Sequence, residues 1–238
     1  MSTPTGAVRP STNVATTPQF WERLWRTAGL QSVGLIVVAY FVYGDQPHLG
    51  ASADALVAFY QGDRIRILTA AVLGGFAVLN LMWFAAALKS TLAETGHDGW
   101  GAAATASSAA LGGLLVLLMT VSAALAYSIA RSGNLALLGG LNDFAWAGLV
   151  LSSFPRAMLI MAAAFGLWRA GLISNRLFTV GVAAVVLVLL GATTWASGGF
   201  WAPDGVYSRI VSPLVCILWL VVVSRVLLTR GPPTHAAW

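Results

Sequence analysis

LNDFAWAGLVLSSFPRAMLIMAAAFGLW, residues 141–168, is apolar for most of its 28 residues yet carries Pro155 and Arg156 near its middle. At about 1.5 Å of rise per residue it is long enough to cross a hydrocarbon layer of about 30 Å. A charge at that depth costs about 3 kcal/mol or more, so Arg156 needs a partner or a route to the interface. Pro155 has no N–H to offer the carbonyl of Leu151, and Ser152 and Ser153 are placed to help resatisfy the kinked backbone. Each other apolar stretch of the chain lacks a central charge.

Composition fixes the solvent. Charged residues make up 9% of the chain and apolar residues 58%, and the mean hydropathy is +0.80. Soluble domains carry about 25% charged residues, so this chain cannot cover a globular surface with polar groups. The fold class expected is all-α: a polytopic six-helix membrane bundle whose partner is the lipid bilayer. The net charge of +5 does not indicate nucleic acid, because the arginines stand singly beside apolar segments instead of sharing one polar face. Cys216 is the only cysteine, which excludes an intramolecular disulfide and a cysteine-based metal site.

Outward from the central stretch, spans are expected at about 27–44, 65–88, 106–130, 141–168, 177–197 and 206–228. Residues 1–19, rich in Thr, Ser and Pro, lack the apolar core of a signal peptide and read as a disordered tail. Residues 231–238 form a second tail. Trp21 and Trp25 share a helical face beside Arg23 and Arg26, a collar suited to the headgroup level. Ser52 can cap a short helix over 53–61 whose Leu56, Phe59 and Tyr60 lie on one side, so this helix is expected on the membrane surface. Residues 90–105 read as a polar connection and 131–140 as a tight turn. Ala109 and Gly113, four apart, suit close helix packing, and Gly/Ala-rich faces of this kind suit homo- or hetero-oligomers.

Six spans put both termini on one side. With the termini cytoplasmic, the inside set of cations is Arg9, Arg23, Arg26, Lys89, Arg169, Arg176, Arg225 and Arg230. The outside set is Arg64, Arg66, Arg131 and Arg209. The excess favours cytoplasmic termini. The two halves then run in opposite directions, a likeness to inverted-repeat transporters in topology alone.

The runs RTAGL (26–30) and GASADALVAFYQGDRIRIL (50–68), with the stretch from GLWRAGLIS (166–174) through GGFWAP (198–203) to ILWLVVVSRVLL (217–228), resemble a large group of actinobacterial multi-pass membrane proteins. That group is described only as a domain of unknown function. The resemblance implies an integral plasma-membrane protein and no particular activity.

Arg156 is the leading candidate for a ligand contact, with Asn80 and Ser152. Measured from Lys89 and Arg169, Asn80 and Arg156 differ in depth by about 6 Å, within reach of an arginine side chain. Other partners are a lipid phosphate or a small anionic ligand; burial among helices or snorkelling to an interface is the structural alternative. Asn142 and Asp143 read either as a polar site at an outer mouth or as a helix start. His48, His97 and His235 fall on different sides and show no HxxxH spacing, and Glu94, His97 and Asp98 share one loop, where a weak metal site is the lesser alternative to solvated side chains. No cofactor or metal site is read, and no GxSxG, HExxH, Walker or GxGxxG pattern occurs. Three functions fit: a non-enzymatic protein that binds or moves a small or lipidic ligand at Arg156, an accessory subunit, or an intramembrane enzyme. The last lacks an embedded carboxylate or imidazole for acid–base work.

Overall fold

A computed structural model describes residues 18–229, and side chains from residue 27 onward. The side chains of the Trp21/Trp25 collar with Arg23 and Arg26 lie outside those described, as do residues 1–17 and 230–238, with Arg230 and His235. The described chain is helical: α1 (Pro18–Tyr43), α2 (Ala53–Gly62), α3 (Arg64–Glu94), α4 (Asp98–Tyr127), α5 (Leu135–Leu151), α6 (Ser153–Arg169), α7 (Asn175–Leu190) and α8 (Ser212–Thr229). Short 3₁₀ or π turns lie at Ile129–Arg131, Gly191–Thr193, Gly199–Trp201 and Tyr207–Val211.

Five helical runs are long and apolar enough to cross a membrane: Arg64–Glu94, Asp98–Arg131, Leu135–Arg169, Asn175–Thr193 and Tyr207–Thr229. The protein is therefore a multi-pass helical membrane bundle. The described apolar part of α1, Thr27–Tyr43, belongs to a shorter class.

The long helices close a ring in the order α1, α3, α4, α6, α7, α8 and back to α1. Lipid gives no hydrophobic reward for helix association, so small residues and interhelical hydrogen bonds do that work. The Ser32 hydroxyl donates to the Ala77 carbonyl at 2.8 Å, tying α1 to α3. Ser108 donates to the Leu81 carbonyl at 3.3 Å, tying α4 to α3. Tyr207 donates to the Leu187 carbonyl at 2.8 Å, holding the start of the last span against α7. At Gly181 a Cβ would fall 2.7 Å from the Trp219 ring and 2.8 Å from Ala164, so its bare backbone lets α7 seat between α6 and α8.

Four expectations are corrected. The 90–105 connection shrinks to residues 95–97, because α3 and α4 continue past their apolar cores as amphipathic ends. The 131–140 turn is only the segment up to Asn134. Gly133 takes the left-handed conformation (φ 74°), Asn134 caps α5 by accepting from the Leu137 N–H at 3.1 Å, and Gly139 and Gly140 are helical. The small-residue face of α4 that packs is Gly101, Ala104, Ser108 and Gly112, whereas Ala109 and Gly113 are exposed. Lastly, α2 does not spend its apolar face on lipid. Leu56 and Tyr60 are buried with Ile67, Leu125, Ala126 and Leu138, so α2 is a plug on the bundle end.

The third membrane-spanning run breaks at Ser152 into α5 and α6. On one side of the break α6 packs into the ring against α4, α7 and α8. On the other, α5 packs on α4, α2 and the turns at 191–193 and 207–211. Beside the break, space remains at the bundle centre, on the end that carries residues 44–62.

Candidate functional site

The space is a cavity of ≈260 Å³. Its lining runs from Gly44 and Gln46 at the loop end to mid-span Leu81, Leu111, Leu220 and Arg156. A second cavity of ≈270 Å³ between α1, α3, α4 and α5 shares its Tyr40, Tyr43, Trp146 and Leu149 wall. The lining is mostly aliphatic and aromatic, and among the described residues it holds no carboxylate.

Arg156 is 6% exposed and is the buried cation of this cavity. The break in the helix explains how the charge is tolerated. The guanidinium folds back toward the C-terminal end of α5, where carbonyl oxygens and the helix dipole favour a cation. Nε donates to the Ser152 carbonyl at 3.2 Å, and Nη2 donates to the Leu149 carbonyl and the Ser153 hydroxyl, each at 3.1 Å. An arginine carries five N–H donors, and Nη1 makes no hydrogen bond with a described residue.

Of the other residues singled out in the sequence, Ser152 lines the cavity, but its hydroxyl donates to the Leu149 carbonyl at 2.6 Å. Asn80 is not brought to Arg156. It donates to the Phe76 carbonyl of its own helix at 2.9 Å, so its polarity is met one turn back. Asn142 and Asp143 do not start a helix; α5 begins at Leu135.

Asn142 is instead a fully buried hub. Its Oδ1 accepts from the Tyr60 hydroxyl at 3.0 Å and from Gln46 Nε2 at 3.2 Å. Its Nδ2 donates to the carbonyls of Pro47 and His48, both at 3.4 Å. Asp143 accepts from the Gly50 N–H at 3.1 Å, and Trp146 Nε1 donates to the Pro47 carbonyl at 2.9 Å. Burial pushes the Tyr60 phenol above its ordinary pKa, so it stays protonated and keeps donating to Asn142. From the opposite wall, Asp204 accepts from the Leu49 N–H at 3.1 Å and pairs with His48 at 3.0 Å, while Arg209 pairs with Asp45. The 45–50 loop is thereby stitched across the mouth of the cavity.

The sequence carries little sign of this stitching or of Arg209 as a cavity residue. The available signals were weak: a buried-type Trp146 four residues after Asn142, and a cation at the start of the last span.

An Asn142→Leu substitution keeps the branched shape but strands the Tyr60 hydroxyl and two loop carbonyls. It is expected to destabilise the detergent-solubilised protein by about 3 kcal/mol and to expose 45–50 to protease. An unchanged melting midpoint and digestion pattern would remove the hub role.

No protein-family model, curated protein or solved structure matches this chain, so its function is read from the cavity itself.

Proposed function

We propose that this multi-pass membrane protein binds a small or lipidic anion in the cavity beside Arg156, without catalysing a reaction. The observation that carries the reading is a buried guanidinium with an unused Nη1, facing a cavity whose described lining offers no carboxylate. A buried charge without a full set of partners is costly and is retained where it has a task. Arg209 at the mouth is already paired with Asp45, so the cavity has one uncompensated cation and suits a single negative charge on an apolar body. A described lining without carboxylate or imidazole speaks against an intramembrane acid–base enzyme.

In this reading α1 is a sixth span, both termini are cytoplasmic, and the mouth under the 45–50 loop faces outward, with the arginine excess inside supporting the orientation. In the same reading the membrane is the plasma membrane, as the likeness to the actinobacterial group implies. The accessory-subunit reading keeps one specific support, the exposed Ala106, Ala109, Ala110 and Gly113 face of α4.

The test is thiol accessibility. Cys216 lines the same cavity, so Arg156→Cys is made in a Cys216→Ala background and exposed to a small water-soluble thiol reagent from either side. Rapid labelling from the side bearing residues 44–62 is expected. A protein that expresses normally and does not label from that side would leave Arg156 a sealed structural residue and end the proposal.

A further inference from the structure

A second cationic site lies apart from the cavity, where α2 turns into α3. The linker between Gly62 and Arg64 and the Ile129–Arg131 turn enclose a recess of ≈580 Å³ lined by Gln61, Asp63, Arg64, Ile65, Arg66 and Arg131. Asp63 is the recess's one carboxylate among the described residues, and it is engaged by Arg66 at 2.5 Å. That leaves Arg64 and Arg131 without a carboxylate partner among the described residues. Arg64 lies over the Tyr127 ring, with its guanidinium carbon 4.8 Å from the centroid, and its Nε is buried without a hydrogen-bond partner. Gln61 is anchored to the Ala130 carbonyl, which fixes α2 against the turn carrying Arg131. Two cations are thus held together by the fold.

We infer that Arg64 and Arg131 bind the phosphate of an anionic phospholipid headgroup. Three observations select a lipid over a soluble anion. The recess sits at the end of membrane-spanning α3. Ile65 between the arginines is 81% exposed, and Tyr127 beside them is 62% exposed. A phosphate at the guanidinium groups would leave its acyl chains beside these apolar surfaces, whereas a free anion has no use for them. The placement also gives the arginines a task. Cations on the 44–62 end run against the excess expected on the other side. Arg209 and Arg66 have local carboxylates to answer for them, and Arg64 and Arg131 are the pair left over.

The test uses the full chain in nanodiscs and native mass spectrometry, with phosphatidylglycerol or phosphatidylcholine as the probe. The wild type is expected to retain phosphatidylglycerol in preference to phosphatidylcholine. Arg131→Gln, at an exposed position that cannot upset the core, is expected to weaken retention about fivefold, and Arg64→Gln/Arg131→Gln further. Arg176→Gln, at an exposed position near the start of α7 and outside both the recess and the cavity, is expected to retain the lipid as the wild type does. Equal retention of the two lipids, or Arg131→Gln behaving as wild type, overturns the inference. Displacement of the lipid by millimolar inorganic phosphate overturns its lipid half and leaves a site for a free anion.

Discussion

An Arg156→Leu protein is expected to fold as stably as the wild type and to bind a monoanionic amphiphile roughly a hundredfold more weakly. The two halves follow from the same geometry. Removing one member of a buried charged network is ordinarily destabilising because it strands the partners. Here the partners have other donors: the Leu149 carbonyl still accepts from the Ser152 hydroxyl, and the Ser152 carbonyl still accepts from the backbone N–H of residue 156 at 3.2 Å. Leucine also removes a guanidinium whose burial costs free energy. Binding is different, because an anion loses a charge-assisted pair worth about 1.5–3 kcal/mol per hydrogen bond. Arg156→Lys should recover part of the affinity as a point charge. The readout is protection of Cys216 from a thiol reagent by the amphiphile, beside the thermal midpoint. A midpoint lowered by several degrees with protection intact would make Arg156 a structural residue.

A loss of stability as large as that from Asn142→Leu is expected from one methyl group. In Gly205→Ala the new Cβ would stand 2.5 Å from the Gly199 carbonyl oxygen, 2.7 Å from the Phe200 oxygen and 2.9 Å from the Phe200 carbonyl carbon. All three are backbone atoms, so no rotamer change relieves the overlap. The turn they belong to is pinned, since Trp201 Nε1 donates to the Thr193 carbonyl and the Ala196 N–H donates to the Trp201 carbonyl. Overpacking of this kind costs about 3 kcal/mol. The strain would reach the cavity mouth through Asp204, which holds the N–H of Leu49 and the ring of His48. Gly113→Ala, with nothing within 4 Å of its Cβ, is the control and should be close to neutral. Midpoints in detergent decide it; equal midpoints for the two variants would mean that the 199–205 turn is free to move.

Five of the six expected spans were legible because transfer of apolar runs to lipid is a local property, and Pro155 with Arg156 marked the break for the same reason. Which residues meet across the bundle was not legible. Depth along an axis can be counted from Lys89 and Arg169, but the direction a side chain takes around the axis cannot, and Asn80 at matching depth turned back on Phe76. The length of α3 and α4 beyond the apolar core was hidden because polar helical ends and loops share a composition. Asn142 had ordinary helix-start chemistry beside it, and its partners Gln46, Pro47 and Tyr60 lie some eighty or more positions away in sequence. Only the folded chain brings such partners together.

The break at Ser152 makes the two halves of the third span mechanically unequal. The α6 half buries Ala163 and Leu167 among Leu88, Leu92 and Leu227, none more than 2% exposed, while the α5 half, packed on α4 and α2, is also tied by polar stitches to a loop. Loosening those stitches opens one compartment to Arg156, whereas reaching it from the opposite compartment would mean pulling apart close-packed aliphatic side chains. Under the proposed reading, a molecule of this build works as a cup and not as a corridor: its occupancy would follow the activity of the anion on one face of the bilayer, which is the property of a gauge, and a gauge consumes no gradient.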